Sequence, residues 1–181
     1  MSTYSFVVGR VLKLGMGTTQ IHPLVNKIRV LIEQNSMWFD YMEHEPVRTS
    51  QEAAKIRPDK YTLAQGAKAL IVRIKEYGGK KYFAMFVVPG NLKFNYESTK
   101  ELLNAKDIRF ATEMEVTEIT NGIKVGGVPP FGNLFELPVF ADTKIFENET
   151  IIFNAGDKKV SIAIRTDDYK TLVNPQVIRL T

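Results

Sequence analysis

The 181 residues are 44% hydrophobic and contain no cysteine, which excludes disulfides, thiolate metal sites and cysteine nucleophiles. The 24 basic and 20 acidic side chains give a net charge of +4, which permits a polyanionic partner but falls well short of a histone-like protein. The two histidines, His22 and His44, are too few and too far apart in sequence for a zinc site, so any chemistry is expected to be metal-free.

The amino terminus predicts neither a signal peptide nor a membrane span. Arg10 and Lys13 interrupt the hydrophobic stretch that a signal peptide would need around residues 6–8. No other window approaches the ~18 apolar residues of a membrane span, so we expect a soluble cytoplasmic protein. Residues 1–22 show little periodicity and predict either an added strand or a loosely attached extension.

A helical pattern begins at Pro23, a residue suited to the first turn of a helix. Leu24, Ile28, Leu31 and Ile32 recur at spacings that place them on one face. We therefore expect this helix to dock on a sheet.

Four Ser/Thr-x-x-Glu/Gln signatures follow, and each can satisfy unpaired amides at the start of a helix. The pairs are Thr49 with Glu52, Thr62 with Gln65, Ser98 with Glu101, and Thr112 with Glu115. A short helix is predicted near each pair.

Runs of strand character lie between these helices, at 69–74, 82–88, 138–141, 150–153, 160–164 and 177–180. The first two runs are joined by a short Gly-Gly turn and predict a hairpin, whereas other strands are separated by helices. The expected fold is therefore α+β with a mixed sheet of five or more strands. Because no linker or repeat divides the chain, residues 1–181 are predicted to form a single domain.

Lys68 is unusual for its position on the predicted strand. Alternation places it on the same face as Leu70, Val72 and Ile74, with Arg73 on the opposite face. One interpretation is a snorkelling lysine at the strand end. The other is an ammonium held in a partly dry pocket, where it can bind a ligand oxygen or stabilise developing charge.

The loop 126–132, with sequence Gly-Gly-Val-Pro-Pro-Phe-Gly, contains three glycines and two prolines. Such a segment can simply turn the chain. It can also present a row of backbone N–H groups to a substrate carbonyl and form a rigid pocket wall. It does not match a phosphate-binding P-loop, because no Gly-Lys-Ser/Thr follows at the required spacing.

Three further features have a functional and a structural interpretation. Asp142 follows an apolar strand and can meet the α-ammonium of an aminoacyl group, or simply end the strand. The cluster Glu43-His44-Glu45 contains metal-binding residue types, but strand alternation places His44 on the opposite face from both glutamates. We therefore expect His44 to be solvent-exposed. Trp38, Phe39 and Tyr41 can stack a base, but on a strand such residues more often belong to the core.

Five motifs in this order resemble the YbaK/ProX family, the freestanding aminoacyl-tRNA editing domains. They are the segment 44–54, Gly66-Ala67-Lys68, Val87-Val88-Pro89-Gly90, Gly-x-x-Pro-Phe-Gly at 127–132, and Asn154-Ala155-Gly156. The resemblance covers the chain from about Pro23 onwards. It implies a strongly curved, barrel-like sheet ringed by helices, without a metal or organic cofactor.

The resemblance also implies the activity, the partner and the site. Family members are similar to the editing insertion of prolyl-tRNA synthetase and hydrolyse mischarged tRNA, for example Ala- or Cys-tRNA for proline. Lys68 matches the family lysine that contacts the terminal adenosine, and Gly127 and Pro130 match the loop that seats the aminoacyl ester. The other predicted substrate-binding residues are Gly126, Val128, Pro129, Phe131, Gly132 and Asp142.

Two other functions are kept as alternatives. The first is a non-catalytic module that docks on tRNA or on an aminoacyl-tRNA synthetase, for which Lys75, Lys80 and Lys81 on the hairpin would set a salt-dependent affinity. The second is a small-molecule or nucleotide-binding hydrolase that uses the same pocket. In many family members a serine precedes the loop proline, whereas this chain has Pro129, so the resemblance does not name the amino acid.

Overall fold

The computed structural model describes residues 11–13, 21–47 and 49–181. Its α-helices are α1 Pro23–Gln34, α2 Ser50–Ile56, α3 Tyr96–Leu102, α4 Glu113–Ile119 and α5 Thr166–Val173. Short 3-10 turns occupy Leu63–Gln65, Gly132–Phe135 and Thr143–Glu147. No helix in the described ranges has the length and apolar character needed to cross a membrane.

The strands form two mixed sheets. They are β1 Val11–Lys13, β2 Phe39–Glu43, β3 Ala67–Glu76, β4 Lys81–Pro89, β5 Ala105–Phe110, β6 Val139–Asp142, β7 Thr150–Asn154, β8 Val160–Arg165 and β9 Gln176–Ile178. One sheet has the order β1-β2-β8-β7 and the other the order β5-β3-β4-β6-β9. An isolated parallel bridge between Gly66 and Ile152 links the start of β3 to β7, and so brings the two sheets together.

This arrangement confirms an α+β fold with a mixed sheet, but not the barrel-like sheet. The chain forms two separate sheets within its described part, and neither closes on itself. The pairs β1–β2, β4–β6 and β6–β9 are parallel, and the other strand pairs are antiparallel. A sheet closes into a barrel only when its two edge strands pair, and here β5 and β9 remain the edges of the larger sheet.

The main core fills the space between the two sheets and α1. Leu24, Ile28 and Ile32 are buried on one face of α1, as their spacing predicts, whereas Leu31 is only partly buried. They pack into one cluster with inward-facing residues of both sheets, such as Tyr41 from β2. Burying these side chains contributes roughly 1.5–3 kcal/mol each, which makes this cluster the main source of stability.

The predicted hairpin is confirmed. Its side chains alternate between the two faces of the larger sheet, and each face packs against its own hydrophobic cluster. Strands β3 and β4 pair from Ala67↔Pro89 to Lys75↔Lys81. On β3, Ile71 faces the main core, whereas Val72 and Ile74 belong to a second cluster on the opposite face. Lys68 lies on this second face, which determines where its stem packs.

A short helix or 3-10 turn lies near each of the four signatures, as predicted, but only two of the signatures cap an α-helix. The Thr49 and Thr112 side chains cap α2 and α4, and Thr112 forms a complete capping box with Glu115. The pair at Thr62 starts only a 3-10 turn. Helix α3 begins before Ser98, and the Asn95 side chain caps it instead, because Asn95 precedes the first helical residue and its amide oxygen reaches the Ser98 N–H.

The amino-terminal prediction can be compared with the structure in part, and two elements were missed. Within residues 1–22, the described segment β1 pairs in parallel with β2, which agrees with an added strand; the rest of the predicted extension lies mostly outside the described residues. Strand β5 and helix α5 were not predicted. The charged sequence of β5 hides its strand character, because only Ala105 and Ile108 face the core.

Candidate active site

A cavity of about 480 Å³ lies where the two sheets meet. Five segments line it: both ends of α2, the start of β3, the turn after β4, the loop near Gly126 and the end of β7. Lys68, Gly126 and Val128 are among the lining residues, so the structure brings together the lysine and the loop that the sequence singled out.

Lys68 is half-buried on the wall that β3 contributes. Its Nζ donates a hydrogen bond to the Leu92 carbonyl oxygen at 2.9 Å, which holds the ammonium at the turn after β4. Burial lowers the pKa of Lys68, because desolvation disfavours the charged form. The side chain is therefore anchored rather than snorkelling freely into solvent.

The first half of the loop offers backbone donors to the cavity. Gly126 has a φ of +88°, a conformation that glycine adopts without strain. Within the described residues, the N–H groups of Gly126 and Val128 have no hydrogen-bond acceptor, whereas the Gly127 N–H donates to the Lys124 carbonyl oxygen at 2.9 Å. Among the described loop residues that line the cavity, the predicted row of amides is thus reduced to two available donors, Gly126 and Val128.

The loop is tied to the turn between β7 and β8 on its other side. The Asn154 side-chain amide donates to the Gly126 carbonyl oxygen at 2.7 Å. The Gly156 N–H donates to the Gly127 carbonyl oxygen at 2.9 Å. Gly127 itself lines a neighbouring cavity of about 570 Å³ rather than this one. These bonds hold the free amides in a fixed orientation.

The second half of the loop is packed into the protein. Pro129 is buried, and the Pro130 carbonyl oxygen accepts a hydrogen bond from the Tyr169 hydroxyl at 2.9 Å. Phe131 is fully buried, with its ring centroid 5.4 Å from that of Phe153. A Cβ on Gly132 would lie 2.6 Å from a Val139 methyl group, so only glycine fits there. Residues 129–132 therefore anchor the loop from behind and do not line the cavity.

Asp142 lies outside the cavity. It is fully buried, one carboxylate oxygen accepts from the Lys144 N–H at 2.8 Å, and the other accepts from the Leu180 N–H at 2.6 Å. The aromatic residues Trp38, Phe39 and Tyr41 do not line the cavity either. Phe39 and Tyr41 belong to the main core. Asp142, Phe39 and Tyr41 therefore make structural contacts.

A buried polar network lies beneath the loop, and sequence reasoning missed it. The Arg57 Nε donates to the Ser161 Oγ at 3.2 Å, and its Nη2 donates to the Asn154 Oδ1, also at 3.2 Å. The His44 Nε2 lies 2.8 Å from the same Ser161 Oγ. These four residues come from four separate segments, so no local pattern could have predicted their association.

His44 was predicted to be exposed, and this was wrong, because it is only 8% exposed. Its Nδ1 lies 2.8 Å from the Glu45 carbonyl oxygen, which only accepts, so Nδ1 carries the proton. Burial lowers the pKa of His44, and the Nε2 of the neutral ring then accepts a hydrogen bond from the Ser161 hydroxyl. Among the described residues no group of acidic, histidine or cysteine side chains could hold a metal ion.

The distance between Ser161 and His44 would suit a serine nucleophile activated by a histidine, but the surroundings of Ser161 do not suit that role. Ser161 is fully buried and does not line the cavity, so a substrate cannot reach its Oγ. That oxygen also accepts from Arg57, which lowers its nucleophilicity. The pair therefore supports the loop instead of attacking a substrate.

The cavity is electropositive. The described residues of its lining include Arg57, Lys68 and Lys93, and no aspartate, glutamate or histidine. In a partly dry site, charges of one sign attract oppositely charged ligands more strongly than they would in water. The cavity thus suits an anionic ligand, and the part of its walls that the structure describes holds no carboxylate or imidazole that could act as a general base.

We predict that His44 makes folding stability depend on pH. Because its pKa lies below the ordinary 6.5 in the folded state, the unfolded chain binds this proton more readily. The contribution is fully present above pH 6.5 and is lost as the pH falls towards the folded-state pKa. Nearby Arg57 lowers this pKa further, and Asp157 and Glu45 oppose the shift.

Urea unfolding of the wild type and of His44→Gln, at about pH 7.5 and about pH 5.5, measures the effect. The wild type should lose more unfolding free energy on acidification than the variant. An equal loss in both proteins would contradict the assignment of a neutral, buried imidazole.

Comparison with known proteins identifies similar chains. A family model described as the aminoacyl-tRNA editing domain matches residues 44–172. The Escherichia coli K12 protein named multifunctional Ser/Thr-tRNA deacylase ProXp-y is 28% identical over 153 residues, which cover 84% of this chain and 89% of that protein. These matches confirm the resemblance drawn from the five motifs.

Two solved structures share the fold. One is described as a candidate trans-editing enzyme for prolyl-tRNA synthetase, with a TM-score of 0.72 and 22% identity over 90% of this chain and 99% of that one. The other is a scaffold protein from an epitope-grafting study, with a TM-score of 0.72 and 21% identity over 89% of this chain and 98% of that one. At these identities the similarity establishes a common fold and no more.

Proposed function

Because this chain belongs to the aminoacyl-tRNA editing domain family, we propose that it is a trans-acting deacylase that hydrolyses the ester of mischarged tRNA in the cytoplasm. The observation that carries the proposal is the cavity, where Lys68 and the unpaired amides of Gly126 and Val128 line one space. A cation can bind the terminal nucleotide of a tRNA, and two fixed N–H donors can bind the carbonyl oxygen of the aminoacyl ester.

The proposed mechanism relies on positioning and electrostatics. Lys68 holds the terminal adenosine, and the free amides of Gly126 and Val128 receive the aminoacyl ester. Water attacks the ester carbonyl, with the ribose hydroxyl of the tRNA assisting the proton transfer. Within residues 11–13, 21–47 and 49–181, no acidic or imidazole group lines the cavity, which supports a reaction without a side-chain base.

The walls near the loop favour a small amino acid. Ala67, Ala69 and Gly126 line the cavity with short side chains or none, which leaves room for a nucleotide end and a small aminoacyl group. The E. coli relative is named for Ser- and Thr-tRNA, and the family resemblance points to Ala- and Cys-tRNA for proline. We propose that the substrate is one of these four.

A separate editing enzyme has a physical purpose. A synthetase pocket distinguishes amino acids that differ by one methylene group by only ~1–3 kcal/mol, which is too little for accurate translation. A second site that hydrolyses only what fits inside it supplies the missing selectivity. The size of the cavity is then the property that protects correctly charged tRNA.

The experiment that tests the function is release of labelled amino acid from a panel of charged tRNAs. The panel contains tRNA for proline carrying Ala, Cys, Ser, Thr or Pro, and Ser- and Thr-charged cognate tRNAs. We expect selective release from at least one mischarged tRNA and none from Pro-tRNA for proline. Binding without release from every member would leave the non-catalytic module in place of the deacylase.

A further inference from the structure

Arg57 is the most deeply buried cation of the cavity. It caps the carboxyl end of α2, where its backbone N–H donates to the Ala53 carbonyl oxygen at 3.2 Å. Its side chain turns inward and is only 8% exposed. A guanidinium is costly to desolvate, so a position this deep requires compensating interactions.

Among the described residues, no ion pair compensates for the desolvation of the Arg57 guanidinium. Arg57 takes part in none of the ion pairs formed by the described residues, which involve Arg29, Lys60 and Arg109. Desolvation lowers the pKa of Arg57 to about 10, so the group still carries its charge at neutral pH. The cavity thus holds a positive charge that no carboxylate of the described chain neutralises.

The guanidinium also has free donors. Of its five N–H groups, one on Nε is used by Ser161 and one on Nη2 by Asn154, while Nη1 has no partner. Among the described residues, the sole side-chain nitrogen or oxygen that is both sealed from solvent and without a hydrogen bond is the Nε of Arg29. The Nη1 of Arg57 is therefore accessible, and Arg57 lines the cavity.

These donors lie on the same side of the cavity as the loop amides. Asn154 accepts from Arg57 with its Oδ1 and donates to the Gly126 carbonyl oxygen with its Nδ2. One side chain thus connects the guanidinium to the residue whose N–H is free. Asn154 thus bridges Arg57 and Gly126, and Val128 and Lys68 line the same cavity.

We propose that Arg57 is a catalytic residue that donates hydrogen bonds to the ester carbonyl oxygen as that oxygen becomes an oxyanion. The inference rests on the proposed deacylation. Water adds to the carbonyl carbon, and the carbonyl π electrons move to the oxygen that Arg57 and the loop amides stabilise. The intermediate then collapses and the bond to the ribose oxygen breaks. That oxygen takes the proton that the attacking water gives up, passed on with the help of the neighbouring ribose hydroxyl, which leaves a free amino acid and a tRNA hydroxyl.

Depth within the cavity favours this role over binding of a backbone phosphate. A phosphodiester between the terminal nucleotides lies farther from the ester than the ribose does, and so is held nearer the mouth. Lys93 is exposed on the cavity wall and suits that contact. A donor that is nine-tenths buried gains most from charge that develops only during the reaction, where water cannot compete.

The test is single-turnover hydrolysis at saturating enzyme, on a tRNA that the wild-type protein deacylates. Arg57→Ala should lower the rate constant by about 10²–10³-fold, as removal of an oxyanion donor does. Affinity for a 3′-aminoacylamino-adenosine, a stable amide of the same shape, should change by less than about threefold. Added methylguanidinium should restore part of the Arg57→Ala rate. Arg165→Ala, which removes an exposed arginine outside the cavity, is the matched control.

Because Arg57→Ala also leaves Ser161 and Asn154 without a donor, Arg57→Lys is the second variant. It keeps the charge but not the fork of donors, and should be slower by at least about tenfold. Rates within about threefold of wild type, weaker binding of the analogue at an unchanged rate constant, or loss of folded structure in both variants would each overturn the inference. If the wild type itself releases nothing from any tRNA, the proposed function fails, and the role of Arg57 fails with it.

Discussion

Replacing Lys68 with alanine should lower the rate constant of aminoacyl ester hydrolysis by about 10²-fold or more, because the substrate end loses its anchor and a misplacement of ~1 Å has this effect. The ammonium is held at the cavity wall by the Leu92 carbonyl oxygen and has no other described partner. Its removal costs one hydrogen bond, about 0.5–1.5 kcal/mol of folding stability, so the variant should remain folded.

Lys75→Ala provides the matched control for this variant. Lys75 lies on the same strand, half-buried, but seven residues along and on the opposite face, about 23 Å from Lys68. Its loss should leave hydrolysis unchanged. If instead Lys75→Ala weakens tRNA binding and Lys68→Ala has no effect on release, the hairpin lysines and not the cavity make the functional contact, as the binding-module hypothesis requires. Unfolding of Lys68→Ala would mean that the lysine is structural.

Replacing Asp142 with alanine should lower the free energy of unfolding by about 3 kcal/mol without removing activity from the folded protein. Its carboxylate accepts from the backbone N–H groups of Lys144 and Leu180 and from the Thr181 hydroxyl. Leu180 is fully buried in the second core cluster, so its N–H would be left without an acceptor. The variant should therefore loosen the carboxyl terminus from β6.

Urea unfolding measures this loss, with Asp59→Ala as the control. Asp59 is exposed, and its replacement should change stability by no more than about 0.5 kcal/mol. The opposite result, unchanged stability with weaker binding of aminoacyl analogues, would return Asp142 to the substrate-binding role that the sequence suggested. The two outcomes thus distinguish a structural role from a substrate-binding role for the Asp142 carboxylate.

Local features of this chain were predictable because their causes are local. The hairpin β3–β4 follows from two alternating runs around a Gly-Gly turn, and α1 follows from apolar residues spaced along one helix face. The side on which Lys68 lies depends only on strand parity, and it was predicted correctly. The caps at Thr49 and Thr112 involve side chains three residues from the amides they satisfy.

Features that depend on distant residues were not predictable in this way. His44 looked exposed by alternation, but its burial depends on Ser161, which lies 117 positions away in sequence. Arg57 has no local pattern at all, and it matters because two elements more than 90 positions away accept its hydrogen bonds. The division of the strands into two sheets is a property of β-pairing between remote segments, which composition and periodicity do not encode.

The sequence by itself therefore determined helix α1, the hairpin β3–β4, the side of the strand on which Lys68 lies and, through five ordered motifs, the family. Only the tertiary structure decided which loop amides are free, which candidates anchor the loop from behind, and which cation lies deepest in the cavity. The reason is physical. Backbone dihedral preferences and side-chain alternation act over a few residues, whereas desolvation and unpaired donors depend on everything that packs around a group.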